Sequence, residues 1–131
     1  MSKETAIKAT FKDLINKKIQ REKDQVKVKE IYVSSMDKTL TFVKPKEDKI
    51  IDLMDDINDQ SSMKDQINFT RKLIYFSCPM LQDPEFHKEL GVQDPLDIVP
   101  MLFDMNDTNE IGEELTELIG NKKVVEDIKN S

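Results

Sequence analysis

The 131-residue chain has one cysteine, one histidine, three glycines and no tryptophan. Because Cys78 is alone, it can form no intramolecular disulfide, and no cysteine pair is present to bind zinc. A single histidine, His87, excludes histidine-rich metal sites, and glycines only at Gly91, Gly112 and Gly120 form no phosphate-binding loop. No apolar run approaches the about 20 residues of a membrane span, and the first residues lack the apolar core of a signal peptide. We therefore expect a soluble, intracellular protein without a cofactor.

Charge, in contrast, is abundant and unevenly distributed. The net charge is −6, yet residues 1–30 hold nine Lys or Arg against five acids, whereas residues 79–121 hold eleven acids against one lysine. Charge asymmetry bears on partners rather than on fold. Either the two regions are solvated faces of one domain, or the basic head of one copy contacts the acidic region of the next. For the second interpretation the candidate self-association residues are Lys12, Lys17, Lys18, Arg21, Glu113, Glu114 and Glu117.

Apolar periodicity predicts helices and one hairpin in the first two thirds of the chain. Apolar residues at helical spacing predict an amphipathic helix from residue 5 to about 21. Two strand-like runs between Val26 and Val43, separated by a polar turn, predict a β-hairpin, and an apolar phase slip after Val28 indicates a bulge or a late strand start. A helix follows Pro45. Ser62 and Asp65 resemble a capping box for a central helix over residues 63–77.

The last third contains its own helix start and stop signals. Asp83 and Asp94 each precede a proline and are predicted N-caps, Gly91 is a predicted helix stop, and residues 107–110 read as a capping box for a final helix that ends at Gly120. The expected fold is mainly α with one small β-hairpin (α+β), a compact helical bundle. We expect a single domain over residues 1–120, with the hairpin at about 26–43, and a flexible or partner-ordered tail over 121–131.

Three possible functions, nucleophilic catalysis, calcium binding and nucleic-acid binding, each have a structural explanation as an alternative. Cys78 and His87 could form a nucleophile and base, but no third orienting residue is evident, so a buried thiol and a surface histidine explain them better. Residues 104–111 resemble the start of a calcium loop, but Asn109 replaces the turn glycine and Leu115 stands where a bidentate glutamate is required. The basic residues near the N-terminus alternate with acids and lack aromatics, which disfavours nucleic-acid binding. We therefore predict no enzymatic, metal or nucleic-acid site, and no membrane partner.

The segment 96–105 contains seven apolar residues in ten positions. All-round apolar helices are usually enclosed, so one interpretation is a central core helix. The alternative is a ledge that binds a partner, because methionines adapt to varied surfaces. The candidate partner-binding residues are Tyr75, Phe76, Met80, Leu81, Met101, Phe103 and Met105.

The order of these features resembles the small tail assembly chaperones of phages and contractile tail particles found in prophages of Gram-positive bacteria. The matching features are the N-terminal helix, the hairpin, the helix after Pro45, the Tyr75–Asp83 segment, the Leu90–Leu102 segment, and the acid-rich final helix before Gly120. These motifs cover most of the chain, although they are capping patterns rather than catalytic signatures.

The resemblance implies a non-enzymatic protein of the bacterial host cytoplasm. Such chaperones bind the tape measure protein, keep it soluble during tail assembly and are absent from the finished particle. The tail tube protein and a second copy of the chain are further candidate partners. A different class of function, a small regulatory domain that binds DNA or a regulator through its basic N-terminal helix, stays open at this point.

Overall fold

A computed structural model describes residues 6–25, 27–58 and 60–120. It is mostly helical, at 63% helix, with one two-stranded antiparallel hairpin, which confirms the expected α+β class. In chain order the elements are α1 (Phe11–Gln25), β1 (Val28–Val33), β2 (Lys38–Val43), α2 (Glu47–Met54), α3 (Met63–Ser77), a 3-10 turn (Pro79–Gln82), α4 (Pro84–Leu90), a second 3-10 turn (Pro95–Asp97), α5 (Ile98–Leu102) and α6 (Met105–Ile119). The expected C-terminal tail, 121–131, lies outside the described residues.

The first helix begins later than its apolar spacing predicts. Asp13 Oδ2 accepts hydrogen bonds from the Thr10 backbone N–H, at 2.8 Å, and from the Thr10 hydroxyl, at 3.0 Å. Thr10 Oγ1 in turn accepts from the Asp13 N–H at 3.2 Å. This reciprocal pair satisfies donors at the helix start, so α1 begins at Phe11 rather than at residue 5. The apolar residue Ile7 therefore precedes the helix.

The hairpin runs without interruption from the Val28–Val43 pair to the Val33–Lys38 pair. Ile31 and Val33 are buried, whereas Val28 is exposed. The phase slip is therefore explained by a late strand start at Val28, and the register contains no bulge over these pairs. Val26, expected at the start of the hairpin, lies outside the described residues.

The central helix is α3, as predicted. Ser62 Oγ accepts from the Asp65 N–H, and the Asp65 carboxylate accepts from the Ser62 N–H, which confirms the capping box. Leu73 and Ile74 are fully buried, and α3 packs against α2, α5 and α6. Such a helix is apolar over much of its circumference because it faces neighbours on several sides.

The start of α6 corrects one prediction. The capping box is formed by Asp104 and Asp107, not by residues 107–110: Asp104 Oδ1 accepts from the Asp107 N–H at 2.8 Å, and Asp107 Oδ2 from the Asp104 N–H at 3.4 Å. Two acid pairs with the same spacing overlap here, and the earlier one caps the helix. The other predicted caps, Asp83, Asp94, Gly91 and Gly120, are confirmed, both glycines adopting the left-handed conformation.

Helices α3 and α6 approach each other closely at Gly112. A Cβ atom at this position would lie 2.7 Å from Cγ2 of Thr70, a distance that real side chains do not tolerate. Thr70 is buried on α3, and its hydroxyl donates to the Gln66 carbonyl oxygen at 3.1 Å. The side chain of Thr70 therefore has little freedom to move away, and Gly112 is required for the spacing of the two helices.

We expect Gly112→Ala to destabilise the protein by about 1 kcal/mol, although alanine is the better helix former by a similar amount. The overlap with Thr70 Cγ2 is the reason, since overpacking typically costs about 1–3 kcal/mol. Urea unfolding of four proteins, the wild type, Gly112→Ala, Thr70→Ser and the double variant, measures the effect. Because serine lacks Cγ2, Gly112→Ala should be neutral or stabilising in the Thr70→Ser background. Equal losses in both backgrounds would contradict this explanation.

Candidate partner-binding surfaces

The apolar stripe of α1 is open to solvent. Phe11 is 87% exposed, Leu14 59%, Ile15 58% and Ile19 46%, and Ile7 before the helix is 91% exposed. The spacing of these residues correctly predicts an amphipathic helix, but the other described residues do not cover its apolar side. We call Phe11, Leu14, Ile15 and Ile19 the α1 stripe.

The predicted ledge around Tyr75 and Phe103 does not form a continuous surface. Tyr75, Leu81 and Phe103 are 8%, 3% and 2% exposed and belong to the core. Phe76 is half-buried. Its ring lies edge-on to the ring of Tyr75, with 5.0 Å between the two centroids, and the Nζ of Lys49 lies 3.7 Å from the centroid of the Phe76 ring. Tyr75, Leu81 and Phe103 therefore present no free surface to a partner.

The exposed methionines among the predicted ledge residues remain candidates. Met101 is 56% exposed, Leu102 40% and Met105 45%, at the junction between α5 and α6. We call these three residues the methionine surface. Met80 is 62% exposed on the separate 3-10 turn Pro79–Gln82. Sequence reasoning missed Leu102 as a candidate, although it lies between two residues that were chosen.

A groove of 200 Å³ includes Pro100, the residue that precedes Met101 of the methionine surface. It is lined by Asn68, Arg71 and Lys72 from α3 and by Leu96, Asp97 and Pro100. Lys72 forms an ion pair with Asp56 at 3.3 Å, whereas Arg71 forms no ion pair among the described residues, and its Nε atom is buried without a hydrogen-bond partner. A guanidinium group in such a position suits a carboxylate ligand. No sequence pattern marked Arg71.

Most of the predicted self-association charges have partners within the chain. Lys18 pairs with Glu22 at 3.4 Å, and Arg21 pairs with Glu47. Glu114 and Glu117 lie 2.5 and 3.5 Å from the Nζ of Lys29, and the hydrogen bond to Glu114 raises the pKa of that lysine. Over the described ranges, the predicted residues left without an ion pair are Lys12, Lys17 and Glu113.

The two potential catalytic residues occupy structural positions. Cys78 is fully buried, and this burial raises the pKa of its thiol. The His87 ring donates from Nε2 to the Leu81 carbonyl oxygen at 2.7 Å. A raised thiol pKa lowers the thiolate fraction, and the thiolate is the reactive form.

The described residues contain no group of three or more His, Cys, Asp or Glu that could hold a metal ion. The segment that resembles a calcium loop is helical from Met105 onward. None of the described helices has the length and apolar character needed to cross a membrane.

No protein-family model, curated protein sequence or solved structure matches the chain.

We expect Cys78 in the native protein to react with Ellman's reagent at pH 8 more than about a hundredfold more slowly than in urea, because exposing the thiol requires local unfolding. The time course of thiolate release measures the rate. A Met36→Cys variant supplies a matched thiol, since Met36 is 43% exposed on the hairpin turn; it should add one rapid phase. Equally rapid labelling of Cys78 in the native protein would contradict the burial argument.

Proposed function

We propose that the chain is a tail assembly chaperone of a phage or phage-tail-like particle. In this proposal it binds the tape measure protein in the cytoplasm of the bacterial host and keeps it soluble while the tail assembles. The observation that carries the proposal is the exposure of Met101, Leu102 and Met105 on a well-capped helix junction. Apolar residues grouped at the surface, outside the core, are typical of binding sites.

The methionine surface suits a helical client. Methionine side chains are unbranched and adaptable, so they can cover apolar faces of varied shape. An amphipathic helix binds such a surface through residues spaced three and four apart. The adjacent groove with Arg71 would accept a carboxylate at the edge of the client helix. The client expected from this chemistry is a helix with an apolar stripe.

The acid-rich C-terminal region supports the role of keeping a client soluble. Residues 79–120 contain eleven acids and one lysine, and the acids on α6 include the exposed residues Glu110, Glu113 and Glu117. A strong net charge opposes aggregation of the complex. The tail tube protein and a second copy of the chain are further partners that this proposal allows.

The competing proposal, a regulatory domain that binds DNA through α1, fits the exposed surfaces less well. Lys12 and Lys17 are exposed and without an ion pair among the described residues, but Lys18 and Arg21 pair with acids. Phosphate binding depends on cations, and single-strand binding also uses aromatic stacking. The exposed stripe of α1 is mainly aliphatic, which suits a protein surface better than a nucleic acid.

We expect the double variant Met101→Asp/Met105→Asp to lose the ability to keep a tape measure client soluble. Burial of each methionine contributes about 1.5–3 kcal/mol, and a buried aspartate adds a desolvation cost, so affinity should fall by more than about a hundredfold. The measurement is the soluble fraction of a tape measure protein co-expressed with each variant.

Ile51→Asp is the matched control. Ile51 is 56% exposed, as Met101 is, but it lines a different groove together with Ile119 and Gly120. The two ends of α6 are about 21 Å apart, so this control lies far from Met105. An insoluble client beside the well-folded wild type would refute the proposal. If Ile51→Asp were as damaging as the double variant, the methionine surface would not be the binding site.

A further inference from the structure

The α1 stripe needs a covering surface. Phe11, Leu14 and Ile15 are each more than half exposed, although the helix is regular over fifteen residues. An isolated helix of this length is marginal in water, and most helices in proteins are stabilised by packing of their apolar side. The stable form of α1 is therefore one in which another surface covers the stripe.

Within residues 6–25, 27–58 and 60–120, the same copy does not supply that surface. Every α1 residue whose side chain is described is exposed. The ion pair between Arg21 and Glu47 ties the C-terminal half of α1 to α2, but both side chains are about half exposed, at 56% and 48%. An exposed ion pair contributes little to holding a helix in place.

The methionine surface has the complementary chemistry. It offers three exposed apolar side chains, with the exposed acids Asp97 and Asp104 nearby in the chain. On α1, helical periodicity places Lys12 and Lys17 on either side of the stripe. An apolar stripe flanked by lysines thus matches an apolar surface within the acid-rich region 79–120.

We propose that α1 of one copy packs on the methionine surface of a second copy, and that two copies exchange their α1 helices reciprocally. Pairing of α1 with α1 is disfavoured, because residues 6–25 contain six Lys or Arg against three acids. One helix of about 22 Å covers only a small area, so a reciprocal exchange with two such contacts gives a more stable, closed dimer.

The exchange has a consequence for regulation. The methionine surface is covered in the free protein and becomes available only when a client displaces α1. This consequence rests on the proposed function, whereas the exchange itself does not. The experiments below use the full chain without any client, so failure of the exchange and failure of the chaperone proposal are distinguishable.

Sedimentation velocity over a roughly hundredfold range of protein concentration tests the exchange. The wild type should be a dimer that dissociates on dilution. Ile15→Asp should raise the dissociation constant at least about tenfold, because it places a charge within the stripe. Asn16→Asp, the control, adds the same charge outside the stripe, about 100° around α1 from Ile15, and should change the constant by less than about threefold.

A mixing experiment identifies the surface that α1 contacts. Met105→Asp should weaken self-association as Ile15→Asp does. A mixture of the two variants should form heterodimers, more weakly than the wild type, because one copy retains an intact α1 and the other an intact methionine surface. Circular dichroism of each variant checks that the body is folded.

Several results would overturn the proposal. The proposal would be overturned if the wild type stayed monomeric at every concentration. This holds whether α1 then packs on its own copy or binds vesicles of phosphatidylglycerol. Self-association that Ile15→Asp abolishes but Met105→Asp leaves unchanged would indicate α1–α1 pairing instead. Failure of the mixture to form heterodimers would exclude the methionine surface as the contact.

Discussion

The close crossing of α3 and α6 at Gly112 is the constraint on which the rest of the structure depends. Because a Cβ atom there would meet Thr70 Cγ2, glycine lets the two helices pack at this spacing without overlap, with Leu73 and Leu115 completely buried. The hairpin is then placed by α6, since Ser35 donates to Asp107 at 2.7 Å and Lys29 pairs with Glu114. Helix α6 thus contacts both α3, at Gly112, and the sheet.

The segment 96–105 contributes some of its apolar residues to the core and others to the surface. Ile98 and Val99 are fully buried, but Met101 and Leu102 are exposed at the end of the same short helix. At Phe103 the backbone becomes extended, at φ −120° and ψ 129°, and this side chain returns to the core. The core interpretation and the ledge interpretation of this segment are therefore each correct for different residues.

Helices and strands could be predicted from interactions between residues close in the sequence, whereas the contacts between these elements could not. Caps such as Ser62 with Asp65, or Gly120, involve residues within one turn of each other, so the sequence contains the whole interaction. The start of α6 was misplaced by three residues because two acid pairs with capping spacing overlap there. The burial of Tyr75 and the exposure of the α1 stripe depend on which surfaces meet. Periodicity shows only that a stripe requires cover, not which surface provides it.

Charge and apolar surface have different roles in this molecule. Several charged residues that the sequence assigns to partner contacts form ion pairs within the chain. Glu114 pairs with Lys29, and Arg21 pairs with Glu47. Exposed ion pairs contribute about 0–1 kcal/mol, whereas burial of one large apolar side chain contributes about 1.5–3 kcal/mol. Burial of the α1 stripe or the methionine surface would therefore contribute more to binding than the exposed ion pairs do. The acidic excess acts over a longer range, where it accelerates encounter with cationic surfaces and repels anionic ones. Because the lysine-flanked α1 belongs to the same chain as the acidic region, the charges favour contact between unlike ends of two copies.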